Sequence, residues 1–195
     1  MKHSLPFSFA FVLALAACAP QVAPAPDTGS GAPVDKASME TYENDEIGYT
    51  IEIPSDWTIT EDETLATDSY TTVGTSFAYP ATRDGSALTE ARVHIATMPT
   101  CPAQDSSTAL TTGSGTMEDI HGTSFMRTEF DGVGAGNRYR GQTYQIERDG
   151  ACTVITLYTH SCNLGADCGD DRQSPYSYED TLFMLRWTLE TLSFN

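Results

Sequence analysis

The amino-acid sequence predicts an α+β domain, in which an antiparallel β-sheet has helices packed against it. Three observations lead to this fold class. Apolar and polar residues alternate along several segments between residues 47 and 162, which is the period of a half-buried strand. Asp149-Gly150 separates two of these segments, and this dipeptide is a strong hairpin signal. Near the end, Ser177–Glu190 repeats its apolar residues at helical spacing, so we expect this helix to pack on the sheet.

The chain begins with the pattern of a secretory signal. Lys2 supplies a positive charge, Leu5–Ala17 is almost wholly apolar, and small residues precede the cysteine at position 18. This apolar run is shorter than the roughly 20 residues that a membrane-spanning helix requires. Residues 1–17 are therefore predicted to be a signal peptide.

The end of this signal carries a further motif. Leu15-Ala16-Ala17-Cys18 resembles the lipobox of bacterial lipoproteins. The resemblance implies that Cys18 is acylated, with palmitate among its chains, and that it anchors the mature N-terminus in a membrane. The alternative is an ordinary signal peptide with a chance cysteine. Ala19 is not the aspartate that usually marks inner-membrane retention, so the expected location is the outer membrane of a Gram-negative envelope. In other bacteria it would be the outer face of the cytoplasmic membrane.

Residues 18–39 are predicted to be the lipidated cysteine and a linker. The stretch Ala19–Ser38 contains four prolines and two glycines but few large apolar residues, which is the composition of a spacer. Residues 40–195 then form a single domain that is long enough to build its own core.

The chain is strongly acidic, with 27 acidic and 10 basic residues and a formal net charge of −17. A nucleic-acid partner is therefore not expected, because phosphate contacts need clustered Lys and Arg. Direct docking on anionic lipid is disfavoured for the same reason. The charge has two interpretations, namely solubility through self-repulsion and attraction to a basic partner or to divalent cations.

Three strands are predicted in the first two thirds of the domain. The alternation in Ile47–Ile53 predicts a half-buried strand that Pro54 ends, after which Trp57 is expected to fold back over the core. Ala91–Met98 and Gly122–Phe130 alternate in the same way.

The hairpin around Asp149-Gly150 is predicted to join the strands Arg138–Arg148 and Ala151–Cys162. The second of these strands is apolar on both faces, which predicts a central position in the sheet. Ala103–Thr111 is predicted to form a short helix.

The amphipathic segment near the end is the better helix signal. Ser177 is predicted to cap it, with Asp180 three residues further on as in a capping box. An apolar stripe that should pack on one face of the sheet contains Leu182, Leu185 and Leu189, with Phe183 and Trp187 beside it. Thr191–Phe194 is expected to add a last short strand.

One stretch carries a family resemblance. Gly48–Trp57, with the pattern Gly-aromatic-x-Ile-x-x-Pro-x-x-Trp, resembles the opening strand of the PsbP-like and DcrB-like families. The closing hairpin, amphipathic helix and Ser-Phe ending are similar as well, whereas residues 62–115 do not align by inspection. The resemblance implies an α-β-α sandwich and a non-enzymatic role as an adaptor or accessory subunit.

The remaining cysteines are expected to form disulfides, since a secretory signal leads to an oxidising compartment. Five residues rich in turn formers separate Cys162 from Cys168, and this spacing favours a short disulfide loop. Cys101 and Cys152 would then form the second pair. Four cysteines allow three pairings, so the other two stay open.

The same region also contains candidate metal ligands. His160, Cys162, Cys168 and either Asp170 or Asp171 could bind zinc or copper, although structural zinc sites usually have tighter ligand pairs. The aspartates do not follow the pattern of a calcium loop. We therefore predict no metal site and no cofactor.

Catalytic motifs are absent from the sequence, which has neither G-x-S-x-G nor H-E-x-x-H. His94 and His121 are interpreted as exposed or satisfied side chains rather than bases. Gly132–Gly136 hints at a phosphate loop but is interpreted as a mobile loop, because a predicted strand follows it. Glu61–Glu63 is interpreted as a solvated run before a turn.

Three functions follow in order of preference. The first is a lipid-anchored, non-enzymatic envelope adaptor that binds a protein partner of unknown identity. The second is a small-ligand or divalent-cation binder, and the third is a hydrolase with a triad assembled from distant residues. An exposed apolar patch would favour the adaptor, whereas a deep pocket lined by carboxylates or aromatics would favour the binder.

Overall fold

The computed structural model describes residues 38–67, 70–80, 86–102, 115–162 and 176–195. These residues form ten strands and one helix: β1 Met39–Asn44, β2 Tyr49–Pro54, β3 Thr58–Ala66, β4 Thr71–Tyr79, β5 Leu88–Met98, β6 Thr116–Ile120, β7 Thr123–Gly134, β8 Asn137–Arg148, β9 Ala151–Cys162, α1 Tyr178–Leu189 and β10 Ser193–Phe194. Cys18, Cys168 and the predicted helix at 103–111 lie outside the described residues. The first strand begins at Met39, one residue inside the predicted linker.

The strands form two antiparallel sheets. The larger has seven strands in the order β3-β4-β5-β9-β8-β7-β6, and the smaller has the order β1-β2-β10. The predicted central strand is confirmed, because β9 lies in the middle of the larger sheet between β5 and β8. Most of its side chains on both faces are buried, which is why its sequence does not alternate.

Tight two-residue turns connect the strands of the second half. Asp149 and Gly150 have φ angles of 52° and 79°, and they join β8 to β9 as the sequence predicted. Ala135 and Gly136, at 47° and 80°, join β7 to β8 in the same way. The interpretation of Gly132–Gly136 as a mobile loop is therefore wrong: its first three residues belong to β7, and the glycine at the turn permits a positive φ.

The core lies on one face of the large sheet. The predicted strand at 47–53 is observed as β2, and its Tyr49, Ile51 and Ile53 are buried together with Trp57, which does fold back. They share one hydrophobic cluster with Val93 of β5 and with other sheet residues and helix residues, including Phe77, Ile155, Leu157, Leu185 and Leu189. The small sheet and α1 thus cover the same face of the large sheet.

The C-terminal helix begins as predicted, because the Ser177 side chain accepts a hydrogen bond of 3.2 Å from the backbone N–H of Asp180. Leu185 and Leu189 are fully buried and Leu182 is half-buried, but Phe183 is 70% exposed. The prediction that Phe183 packs with the stripe is therefore wrong, because its position on the helix turns it away from the sheet. One helix is present in the part of the chain that the structure describes, and it gives a mostly antiparallel β-fold.

Candidate functional site

The cysteines predicted to be paired fall into two groups. Cys101 and Cys152 form a disulfide with their Cα atoms 4.9 Å apart, and this is the pair expected from the sequence. It ties the segment after β5 to the first turn of the central strand. Cys162 is buried at the end of β9. Its predicted partner Cys168 and the lipidation residue Cys18 lie outside the described residues, so both assignments stay predictions.

The two histidines of the large sheet have structural partners. His94 is fully buried, and its ring nitrogens lie 3.0 Å from Thr72 Oγ1 and 2.8 Å from Ser76 Oγ. Burial lowers the pKa of His94 from 6.5 to about 4, with nearby Arg92 adding to the effect. Ser76 and His94 could suggest a nucleophile and a base, but both are fully buried, so a substrate cannot reach them.

His160 contacts other groups than a metal. Its ring stacks on Tyr139 with centroids 4.6 Å apart, and Nε2 lies 2.9 Å from Asn137 Oδ1. No group of three His, Cys, Asp or Glu side chains is arranged to hold a metal ion among the residues that the structure describes. His121 is exposed in the turn between β6 and β7, with a φ of 50°.

The acidic run Glu61–Glu63 is not a solvated run before a turn, as the sequence suggested. It lies inside β3, where the pairing with β4 shifts register between Thr60 and Glu63 and Asp62 takes a φ of 54°. Glu63 forms an ion pair with Arg92, which also pairs with Glu90. The irregular strand is therefore what turns one carboxylate of the run toward a buried cation.

Burial acts differently on the two carboxylates of this ion pair network. Burial by itself would raise the pKa of Glu63, but hydrogen bonds from Ser76 and Arg92 outweigh it and the pKa is lowered. Burial raises the pKa of Glu90, and Arg92 opposes the rise without cancelling it. The arrangement stabilises the sheet and offers no open coordination position.

An acidic cleft of about 440 Å³ lies at the opposite, outer side of β3. The turn between β1 and β2 contributes Glu43, Asp45 and Glu46, and the β3 irregularity contributes Glu61 and Asp62. The Tyr42 hydroxyl donates a 2.9 Å hydrogen bond to Glu61 Oε1. No sequence motif marks this cleft, because its two halves come from segments that only the fold brings together.

A second candidate surface lies around Trp187 of α1. An apolar groove of about 360 Å³ runs between the helix and the small sheet and is lined by Pro54, Trp57, Tyr79, Met184 and Trp187, among others. The rings of Trp57 and Tyr79 meet edge to face, with centroids 6.0 Å apart. A shallower hollow of about 400 Å³ on the other side of Trp187 is lined by Leu182, Phe183 and charged residues of the same helix.

We call the outer side of α1, from Leu182 to Trp187, together with these two hollows, the aromatic face. Its exposed Phe183 and its groove are the features that the sequence did not reveal. The helical periodicity correctly placed Leu185 and Leu189 inside, but it could not show that a groove would remain between the helix and β2.

No helix in the described part of the chain is long and apolar enough to cross a membrane. No protein-family model matches the sequence, and no curated protein matches it significantly. Two solved structures are similar to this chain. The solution structure of cyanobacterial PsbP (CyanoP) from Synechocystis sp. PCC 6803 has a TM-score of 0.46 and 13% identity, covering 86% of this chain and 99% of CyanoP. LpqN from Mycobacterium tuberculosis, described as involved in cell envelope biogenesis, has a TM-score of 0.43 and 15% identity, covering 80% of this chain and 90% of LpqN.

Proposed function

We propose that this protein is a lipid-anchored, extracytoplasmic accessory protein that binds a protein partner through its aromatic face. The observation that carries the proposal is the exposed Phe183 beside Trp187. A single exposed apolar side chain is ordinary on a protein surface. Here the exposed ring adjoins a tryptophan with a hollow on each side, and such a combination offers both an anchor and pockets that can receive one.

The rim of this face has the charge pattern of a binding surface. Glu179, Arg186 and Glu190 surround the apolar residues of the outer hollow, and Asp56 lies at the edge of the groove. Interfaces between proteins commonly place aromatic residues at the centre and charged residues at the rim. The arrangement therefore supports a protein partner better than a small apolar ligand, which would be enclosed more fully.

The location outside the cytoplasm is supported by the signal-like start of the chain and by the Cys101–Cys152 disulfide. Structural disulfides persist mainly in oxidising compartments. A lipid on Cys18 would hold the domain at a membrane surface, where the proline-rich linker separates it from the anchor.

A photo-crosslinking amino acid placed at position 183 in intact cells tests the proposal. We expect a discrete crosslinked protein, and we expect Phe183→Ser to reduce recovery of that same protein. The matched control is position 133, because Val133 is 78% exposed and lies in the hairpin between β7 and β8, away from α1. If both positions yield the same set of proteins, or neither yields any, the aromatic face is not a specific docking surface.

The second candidate function, a small-ligand or cation binder, is favoured by the acidic cleft with its five carboxylates. This function would be preferred if position 183 gave no crosslink while an added ion or metabolite raised the melting temperature of the purified domain.

A further inference from the structure

The acidic cleft between the β1–β2 turn and β3 is strongly negative without an internal counter-ion. Five carboxylates line it, and none of the described residues around it is Lys, Arg or His. Like charges gathered on one concave surface raise each other's free energy and focus a negative potential outward. Such a site is costly to the free protein and becomes favourable when a cation enters.

Both walls of the cleft are held in place by hydrogen bonds. Asn44 Oδ1 accepts a 2.8 Å hydrogen bond from the N–H of Ile47, and the Asn44 carbonyl accepts another of 2.8 Å from Gly48. These bonds fix the turn that carries Glu43, Asp45 and Glu46. On the other wall, Tyr42 holds Glu61. The carboxylates therefore stand on ordered backbone and need little rearrangement to receive a ligand.

An independent feature lies at the floor of the same cleft. Tyr49 is fully buried, and its hydroxyl has no hydrogen-bond partner among the described residues. Burial raises the pKa of this phenol, and the nearby Thr75 and Asn44 side chains, which line the cleft, oppose the rise. A buried polar atom without a partner destabilises a fold, and native proteins rarely keep one without a reason.

We propose that the cleft binds a lysine or arginine side chain of a protein partner, with the carboxylates neutralising its charge and the Tyr49 hydroxyl accepting a hydrogen bond from its N–H groups. The inference rests on the proposed adaptor function, because the cation comes from a protein. It assigns a second contact region in addition to the aromatic face.

The size and geometry of the cleft favour an organic cation over a bare metal ion. A volume of about 440 Å³ is large for one ion, and the described carboxylates are not arranged as a ready set of metal ligands. A flexible basic side chain can enter such a cleft and be met from several sides. Arginine in addition presents several donors in a fixed fork, which suits multiple carboxylates.

The test measures binding of a fluorescein-labelled Gly-Lys-Gly-Arg-Gly peptide to the purified domain by fluorescence anisotropy at constant ionic strength. The cleft variant is Glu43→Gln/Glu46→Gln/Glu61→Gln. The control variant Glu40→Gln/Glu52→Gln/Glu147→Gln removes the same charge from exposed positions outside the lining of the cleft. We expect the cleft variant to weaken binding about tenfold and the control variant to change it less than about twofold, since screened distant charges contribute little.

Tyr49→Phe provides a second measurement that does not change the charge. The variant removes only the unpartnered oxygen, so the domain should keep or raise its melting temperature while its peptide affinity falls several-fold. Equal weakening by the cleft and control variants would mean that the peptide responds to net charge alone, and this result would overturn the proposal. So would Ca²⁺ that binds stoichiometrically and displaces the peptide at matched ionic strength.

The outcome for the cleft can be separated from the outcome for the aromatic face. The peptide assay contains no partner and does not involve Phe183, and the crosslink at position 183 does not require the cleft. A crosslink that persists while the peptide shows no preference for the cleft rejects only the cleft. A specific peptide effect without any crosslink rejects the aromatic face.

Discussion

At the scale of single residues, His94 couples the stability of the protein to pH. Its folded pKa of about 4 lies below the ordinary value of 6.5, because burial penalises the charged ring. The unfolded chain therefore binds a proton first as the pH falls. The stabilisation is fully present above about pH 6.5 and is lost towards pH 4, and it amounts to about 3 kcal/mol in the free energy of unfolding.

Urea unfolding between pH 7 and pH 4 checks this expectation. The wild-type protein should lose stability steeply over that window, and His94→Gln should flatten the dependence even if its stability at pH 7 is lower. Carboxylates such as Glu63 titrate in both proteins, so the difference between the two curves isolates the histidine. Parallel curves would show that His94 does not carry the effect.

The sequence foretold some of this residue-level detail and not the rest. His94 was interpreted as an exposed or satisfied side chain, and the satisfied alternative is observed. The orphaned Tyr49 hydroxyl could not be foreseen, because its isolation depends on where Thr75 and Asn44 lie after folding. The ion pair of Glu63 was missed for a similar reason, since a bulge within a strand leaves little trace in a run of acidic residues.

At the scale of elements, the packing of β7 on β8 requires a glycine at position 141. A Cβ atom there would lie 1.9 Å from the Leu157 carbonyl oxygen and 2.5 Å from the Phe130 ring. We expect Gly141→Ala to reduce the free energy of unfolding by about 2 kcal/mol or more, because the backbone of β9 cannot move aside easily. Gly134→Ala is the matched control, since nothing lies within 4 Å of its added Cβ.

Chemical denaturation of the two alanine variants gives the comparison. The Gly134 variant should remain close to wild type. If both variants lose the same stability, the loss reflects a general cost of replacing glycine in β7 and β8 and not the close approach at Gly141.

Element prediction succeeded where the local sequence contains the decisive signal. The β8–β9 hairpin was predicted with nearly its observed bounds because Asp149-Gly150 fixes the turn and the flanking strands are long. β3 and β4 were not predicted, since both lie in the region that no motif resolved and β3 is largely polar and exposed. The turn at Ala135-Gly136 was misjudged because several neighbouring glycines hid where the strand ends.

At the scale of the whole molecule, the lipid anchor is the prediction with the largest cellular effect. Cys18→Ser removes the thiol that would accept the lipid, so the domain should move from the membrane fraction to the soluble envelope fraction. Fractionation followed by mass spectrometry of the N-terminal peptide measures both location and acylation. Unchanged membrane association together with an unmodified wild-type peptide would contradict the assignment.

The central position of β9 determines the order in which the large sheet can be assembled. Both β5 and β8 pair with β9, and β5 is made long before it, with Met98 meeting Cys152. When the chain emerges from its N-terminus, the β3–β4–β5 unit must wait with the open edge of β5 unpaired until residues 151–162 follow. Sheets that depend on such distant pairings fold slowly. During that interval the apolar edge of β5 is the surface most exposed to aggregation, and a chaperone that shields it would act before β9 arrives.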